Sequence, residues 1–359
     1  MSNNDKNKVS IKAPIVPDGG WGWLIVFASF MIHFVMDGIT YSMGQVFLEP
    51  MRKELSLDRA SVSSIFGILP AVTLGAGPIA TVLTNMYGCR TVAIAGTCIA
   101  SLGFFLSRMW ANIWFYYITI GVIGGMLLHR IEQIDLNLLK NSAFTLFTIS
   151  NFLTSLGFNV VYNFADDLAN DSNVIKDQRS YIVMSIGLSN IFGRLIIGYF
   201  GDRKCVNRLL LFILTLIISG VATMIAPLCG SSVISHIGYA SFFGFFSGGS
   251  VTLTAIVLID IVGIDKLSDA FGVVLLFVGV ATAIGTPIVG GMRDAFSHFT
   301  RPFLWPYLIF GSCTVISGVI LFAIPFLQRK KPSDVHIEMD VNKFYSGKDR
   351  LSQEQQQKV

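Results

Sequence analysis

Residues 209–228 read LLLFILTLIISGVATMIAPL, twenty positions without a charge, with only Thr215, Ser219 and Thr223 bearing a hydroxyl. A bilayer hydrocarbon core of about 30 Å is crossed by a helix of roughly 20 apolar residues. The run therefore has the length and chemistry of a transmembrane helix. Polar and apolar residues do not alternate along it, so it is not a strand of a membrane barrel. An open strand would leave backbone N–H and C=O groups unpaired in hydrocarbon, which leaves the helix as the only answer.

Working outward, runs of the same kind occupy 23–48, 62–86, 91–106, 113–128, 143–165, 181–200, 233–259, 270–292 and 304–327, giving ten predicted spans. The whole chain agrees with that reading. Of its 359 residues 53% are hydrophobic and 13% are charged, about half the charged share of an average soluble protein, and the mean hydropathy is +0.64. The 34 glycines and 29 phenylalanines suit helices that pack closely and present apolar bulk to lipid. The fold class expected is an all-α membrane protein.

Charge sits in the ends and short loops, and the net charge is only +4. A basic face or stripe for nucleic acid is missing. With a cytosolic N-terminus, the inside segments carry Arg90, Arg130, Lys140, Arg203, Lys204, Arg208 and Lys266, and the outside segments carry Arg52, Lys53, Arg59, Arg108, Lys176, Arg179, Arg293 and Arg301. Counting the terminal Lys and Arg residues, the bias is inward, which predicts both termini in the cytosol. The polar start MSNNDKNKVSIKAP does not read as a signal peptide. The five cysteines have no zinc or CxxC spacing, no phosphate-binding GxxxxGK[ST] occurs, and the histidines are dispersed. The sequence thus implies no metal, cofactor or enzyme chemistry.

Three segments carry a resemblance. Pro17-Asp18-Gly19-Gly20-Trp21-Gly22-Trp23 opens the first span, Asn151-Phe152-Leu153-Thr154-Ser155-Leu156-Gly157-Phe158 lies in the fifth, and Ser189-Asn190-Ile191-Phe192-Gly193-Arg194 leads to Gly201-Asp202-Arg203. Together they resemble the monocarboxylate transporter family (solute carrier family 16) of the major facilitator superfamily. Tyr87-Gly88-Cys89-Arg90 and Gly198-Tyr199-Phe200-Gly201-Asp202-Arg203 are similar to two copies of the superfamily's cytoplasmic-loop motif, as expected of a fold built from repeated halves. The resemblance implies a helical bundle of about ten transmembrane helices where the family has twelve, since the chain passes from Gly121-Val122-Ile123-Gly124-Gly125 to the approach of helix seven. The expected organisation is a cytosolic tail (1–18), a shortened N-terminal half (19–128), a short central loop (129–141), a six-helix half (142–328) and a polar tail (329–359). It further implies transport of a small organic anion or amphipathic solute, a plasma-membrane location and, for some relatives, a single-span immunoglobulin-type ancillary protein.

Site candidates follow from charges inside spans. Arg194 lies within an apolar helix, where a charge costs about 2.5–3.5 kcal/mol on insertion scales, and its fork suits a carboxylate. The matching arginine of the family is held to bind the substrate carboxylate. Asn190 is one turn earlier on the same face. It replaces an aspartate of the proton-coupled lactate carriers, and Tyr41 replaces their first-helix lysine, so the resemblance departs at two of three lactate-handling positions. Arg194, Asn190 and Tyr41 form the expected binding set. Asp37 is an intramembrane carboxylate, either a proton or ion site, a counter-ion for Arg194, or a hydrogen-bonded acid beside Gly38. Gly201, Asp202, Arg203 and Arg90 are expected to act in conformational change. Two functions stay open: a carrier, with symport as one form, and a non-transporting truncated carrier that acts as a binding or regulatory partner.

Overall fold

The computed structural model describes residues 20–75, 83, 86–107, 112–119, 136–203 and 205–329. Among these the chain is helical. In order come α1 (Trp21–Leu55), α2 (Arg59–Gly75), α3 (Cys89–Ser107), the short α4 (Ile113–Tyr116), α5 (Ser142–Asp171), α6 (Lys176–Gly201), α7 (Arg208–Ile225), α8 (Val233–Val262), α9 (Leu267–Ala295), α10 (Leu304–Ile320) and α11 (Ile324–Arg329). Residues Met1–Leu321 form one compact unit, and Phe322–Val359 form a second, whose described part is a short 3-10 turn and α11.

Seven stretches among the described residues are long and apolar enough to cross a membrane: Arg90–Ser107, Ser142–Asp171, Lys176–Gly201, Arg208–Leu228, Val233–Val262, Asp269–Ala295 and Leu304–Leu327. They coincide with seven of the ten predicted spans, and the protein is a multi-pass membrane protein. The first, second and fourth predicted spans fall partly on residues or side chains outside the described set, as do most of the central loop and the tail from 330.

The helices outrun the apolar stretches that predicted them. α1 continues through Pro50 to Leu55 before Ser56 turns left-handed at φ 53. α5 runs past Ala165 to Asp171, and the Ser172 hydroxyl donates back to the Leu168 carbonyl at 2.9 Å. The physical reason is that hydrophobicity reports the thickness of the lipid, whereas backbone hydrogen bonding continues until a capping group ends it. Starts are likewise capped. Asp58 accepts from the Ser61 amide and hydroxyl at 3.2 and 2.7 Å, and Asn207 accepts from the Leu210 amide at 3.1 Å.

Small residues set which helices touch. α6 crosses α8 so closely that a methyl group at Gly193 would strike the Phe245 carbonyl, and one at Gly244 or Gly248 would strike the backbone of Ile186 or Asn190. α2 lies against α9, where a methyl at Gly290 would sit 3.1 Å from the Arg59 carbonyl oxygen and one at Gly67 3.1 Å from that of Thr282. Close backbone approach replaces the hydrophobic effect as the glue between helices in lipid. α5 lies centrally, touching α1, α9 and α10, and Phe144, Phe147 and Phe164 along it are fully buried. The opposite face of α6 presents Leu188, Phe192, Leu195 and Tyr199 outward, as a lipid-facing surface requires.

Candidate functional site

One α-helical turn separates Asn190 from Arg194, and the two side chains meet: the Arg194 Nε donates to Asn190 Oδ1 at 2.9 Å. The chain of contacts then leaves α6. Asn190 Nδ2 donates to the Tyr162 hydroxyl of α5 at 3.1 Å, and that hydroxyl shares a hydrogen bond with Ser247 of α8 at 3.0 Å. From α1, Gln45 Nε2 donates to the Tyr162 carbonyl at 2.6 Å. Four helices therefore converge on a polar line within an apolar bundle. Gly248 places α8 against the Asn190 backbone, which brings the neighbouring Ser247 within reach. Tyr162 is held from the other side by ring contacts with Phe158 and Phe243, at centroid distances of 6.4 and 5.4 Å.

Arg194 and Asn190 are thus brought together. Asp37 and Tyr41 fall on α1, with their side chains outside the described residues. Tyr162 and Ser247 escaped the sequence reading because a tyrosine and a serine among phenylalanines and glycines look like packing. The only available signal was position, since Ser247 lies within the Phe-Ser-Gly-Gly-Ser string of an apolar helix.

At one end of the bundle, α6 stops at Gly201 and Asp202 caps it. Arg203 lies over the Tyr199 ring at 4.4 Å. Arg208, which follows the predicted loop motif, donates to the Gly201 carbonyl at 3.1 Å and to Asp260 at 3.0 Å, so it ties the end of α6 to the start of α7 and the end of α8. Arg90, in the predicted second copy of the motif, is exposed.

At the opposite end, Arg59, one of the charges assigned to the outside segments, is 3% exposed. Its Nε donates to Asp167 at 2.8 Å, its Nη2 to Glu49 at 2.8 Å and its Nη1 to Asp294 at 3.2 Å. The carboxylates come from α5, α1 and α9. They satisfy most of the fork, which is what permits its burial. Around this centre Arg293 pairs with Asp171 at 2.7 Å, and Arg52 with Glu49 at 3.3 Å. Proximity in sequence to Arg52 and Lys53 disguised Arg59, because its main partner is 108 residues away.

Comparison with known proteins places these features. A family model described as Major Facilitator Superfamily matches residues 147–344. The chain is similar to monocarboxylate transporter 4 of Gallus gallus, 25% identical over 431 aligned positions covering 92% of this chain and 88% of that protein. It is similar to monocarboxylate transporter 4 of Mus musculus, at 25% over 91% of this chain and 88% of that one. Monocarboxylate transporter 12 of Mus musculus is 20% identical over 91% and 90%. The 431-position alignment is longer than the 359-residue chain, so the chicken protein holds residues with no counterpart here.

Proposed function

The chain belongs to the Major Facilitator Superfamily, and on that premise we propose that it carries monocarboxylates or related small organic anions across the plasma membrane by alternating access. The observation that supports this most is the hydrogen-bonded line Arg194–Asn190–Tyr162–Ser247. A guanidinium retained inside a membrane helix needs anionic or strongly polar company, and Asn190 fixes the plane of its fork through Nε. Arg194 receives the solute carboxylate, while Asn190 and Tyr41 select among the groups attached to it. Gly201, Asp202, Arg203 and Arg90 act at the cytosolic end as the halves rock.

Asn190 has no titratable proton. A coupling ion or proton therefore requires another group, and Asp37 is the first to test. The deciding experiment is uptake of labelled organic acids, amines and aromatic amino acids by membranes containing the chain, with Arg194→Ala alongside. Uptake of acids falls at least about tenfold in the variant if a charge-assisted contact is lost; equal uptake removes the carboxylate role. Acid stimulation that disappears in Asp37→Asn assigns coupling to Asp37.

A second reading, a non-transporting carrier that serves as a binding or regulatory partner, draws support from the alignment that exceeds the chain in length. It requires the chain to take up no solute while a version with a relative's fifth and sixth helices inserted does.

A further inference from the structure

The Arg59 cluster is built from residues none of which belongs to the Arg194–Asn190–Tyr162–Ser247 line. Its geometry is unusual for a structural ion pair. Arg59 begins α2 and Glu49 lies in the last two turns of α1, whereas Asp167 lies about one turn before the end of α5 and Asp294 at the end of α9. One guanidinium therefore bonds both to the helices of the N-terminal half and to those of the C-terminal half. The Arg59 amide adds to this, donating to Asp294 at 2.9 Å. Directly beneath, the same two halves are sealed: Val62, Ser63 and Thr286 are fully buried, and the Ser63 hydroxyl reaches the Thr286 carbonyl at 3.3 Å. Gly67 lies against the Thr286 side chain and Gly290 against Ser63 and the Arg59 backbone, so α2 and α9 approach closely here.

We infer that Arg59 is the gating residue of the outer end, a latch whose release from Asp167 and Asp294 opens the passage to the outside. The inference rests on the alternating-access reading, because only a carrier must part its halves at this end. The division of charge favours separation over rearrangement. When the halves part, Glu49 stays with Arg59 and Arg52, and Asp171 and Asp294 stay with Arg293, while Asp167 exchanges Arg59 for water. Both new surfaces face water, where ions are well solvated, and the latch can close again without a stranded charge. A purely structural arginine would gain nothing from bridging helices that must come apart.

The test needs no knowledge of the solute. Ser63→Cys places a thiol under the latch, and a charged, membrane-impermeant methanethiosulfonate is applied from the outside to membranes bearing the full chain. Ser219→Cys, fully buried in α7 away from the cluster, serves as the second probe. With Asp167 intact, both thiols react slowly. In Asp167→Asn, and in Asp294→Asn should the first variant fail to reach the membrane, the Ser63→Cys thiol reacts at least tenfold faster while the Ser219→Cys thiol stays slow. An unchanged rate at Ser63→Cys overturns the gate. Acceleration at both positions overturns it too, since the ion pairs then only hold the fold. A faster Ser63→Cys in a chain that transports nothing would keep the gate and defeat the transport reading.

Discussion

Asn190 bears directly on the charge of Arg194, because its neutral amide accepts from the guanidinium Nε at 2.9 Å. Asn190→Asp puts a carboxylate at the same point. At neutral pH the new pair competes with the solute for Arg194, and uptake of organic acids falls by about tenfold or more, given roughly 1.5–3 kcal/mol for a hydrogen bond to a charged group. Protonating the aspartate removes that competition, so the variant acquires acid-stimulated uptake. Initial rates measured across a pH series check this; a variant whose pH profile matches the parent's would show that Asn190 and Arg194 do not face the solute together. Tyr162→Phe removes the hydroxyl that receives Asn190 Nδ2. Of the two hydrogen bonds this hydroxyl makes, loss of the one to Asn190, about 0.5–1.5 kcal/mol, raises KM for the acid about two- to tenfold with little change in kcat. A change confined to kcat would instead assign Tyr162 to conformational change.

Helix ends, more than helix centres, carry what was hard to read. Each span announces itself because twenty apolar residues have no other soluble or lamellar solution, and the Asn190–Arg194 pair follows from one-turn spacing. The Arg59 cluster follows from neither rule. Asp166 and Asp167 stand at the end of an apolar run, and Arg59 stands at the start of one, where a solvated loop charge is the ordinary expectation. Pairing across 108 residues is fixed by the tertiary approach of α2 to α5 and α9, which no local pattern encodes. Asp58 shows the converse, a cap that the local sequence does encode. Its carboxylate is held below the usual range by the Ser61 hydroxyl, and Asp58→Ala lowers stability by about 0.5–2 kcal/mol through the loss of the α2 cap. Asp58→Asn, which still accepts from Ser61, stays near the parent. Thermal unfolding in detergent distinguishes them, and equal melting of all three proteins would remove the cap's role. The sequon Asn170-Asp171-Ser172 is also an element-scale matter. Its first two residues belong to α5 and Asp171 is engaged by Arg293, so this asparagine is not an extended acceptor.

At the scale of the molecule, ion pairing and topology constrain each other. Arg59 follows the first span, and its partner Asp167 lies near the end of the helix that the sequence predicts as the fifth. Two groups in contact lie on one side of the membrane, so the chain crosses an even number of times between them. α3 and α5 are long and apolar enough for two of these crossings, and the spans predicted at 62–86 and 113–128 are the two expected to make the number even. With the first predicted span crossing once, the same parity predicts that the loop after α6 lies on the side of the N-terminus. Native cysteines report on this. Cys205 is exposed in that loop, and Cys229 follows the next span toward the opposite face, partly buried and with its thiol pushed up by that burial. An impermeant maleimide therefore labels Cys205 only after cells are permeabilised, a signal that Cys205→Ser removes. From outside it reaches Cys229 slowly, and faster as the pH rises and the thiolate fraction grows. Labelling of Cys205 in intact cells would mean an odd number of crossings before it. The segment at 113–128 would then lie on the membrane or outside it, and Arg59 and Asp167 could not meet on one face.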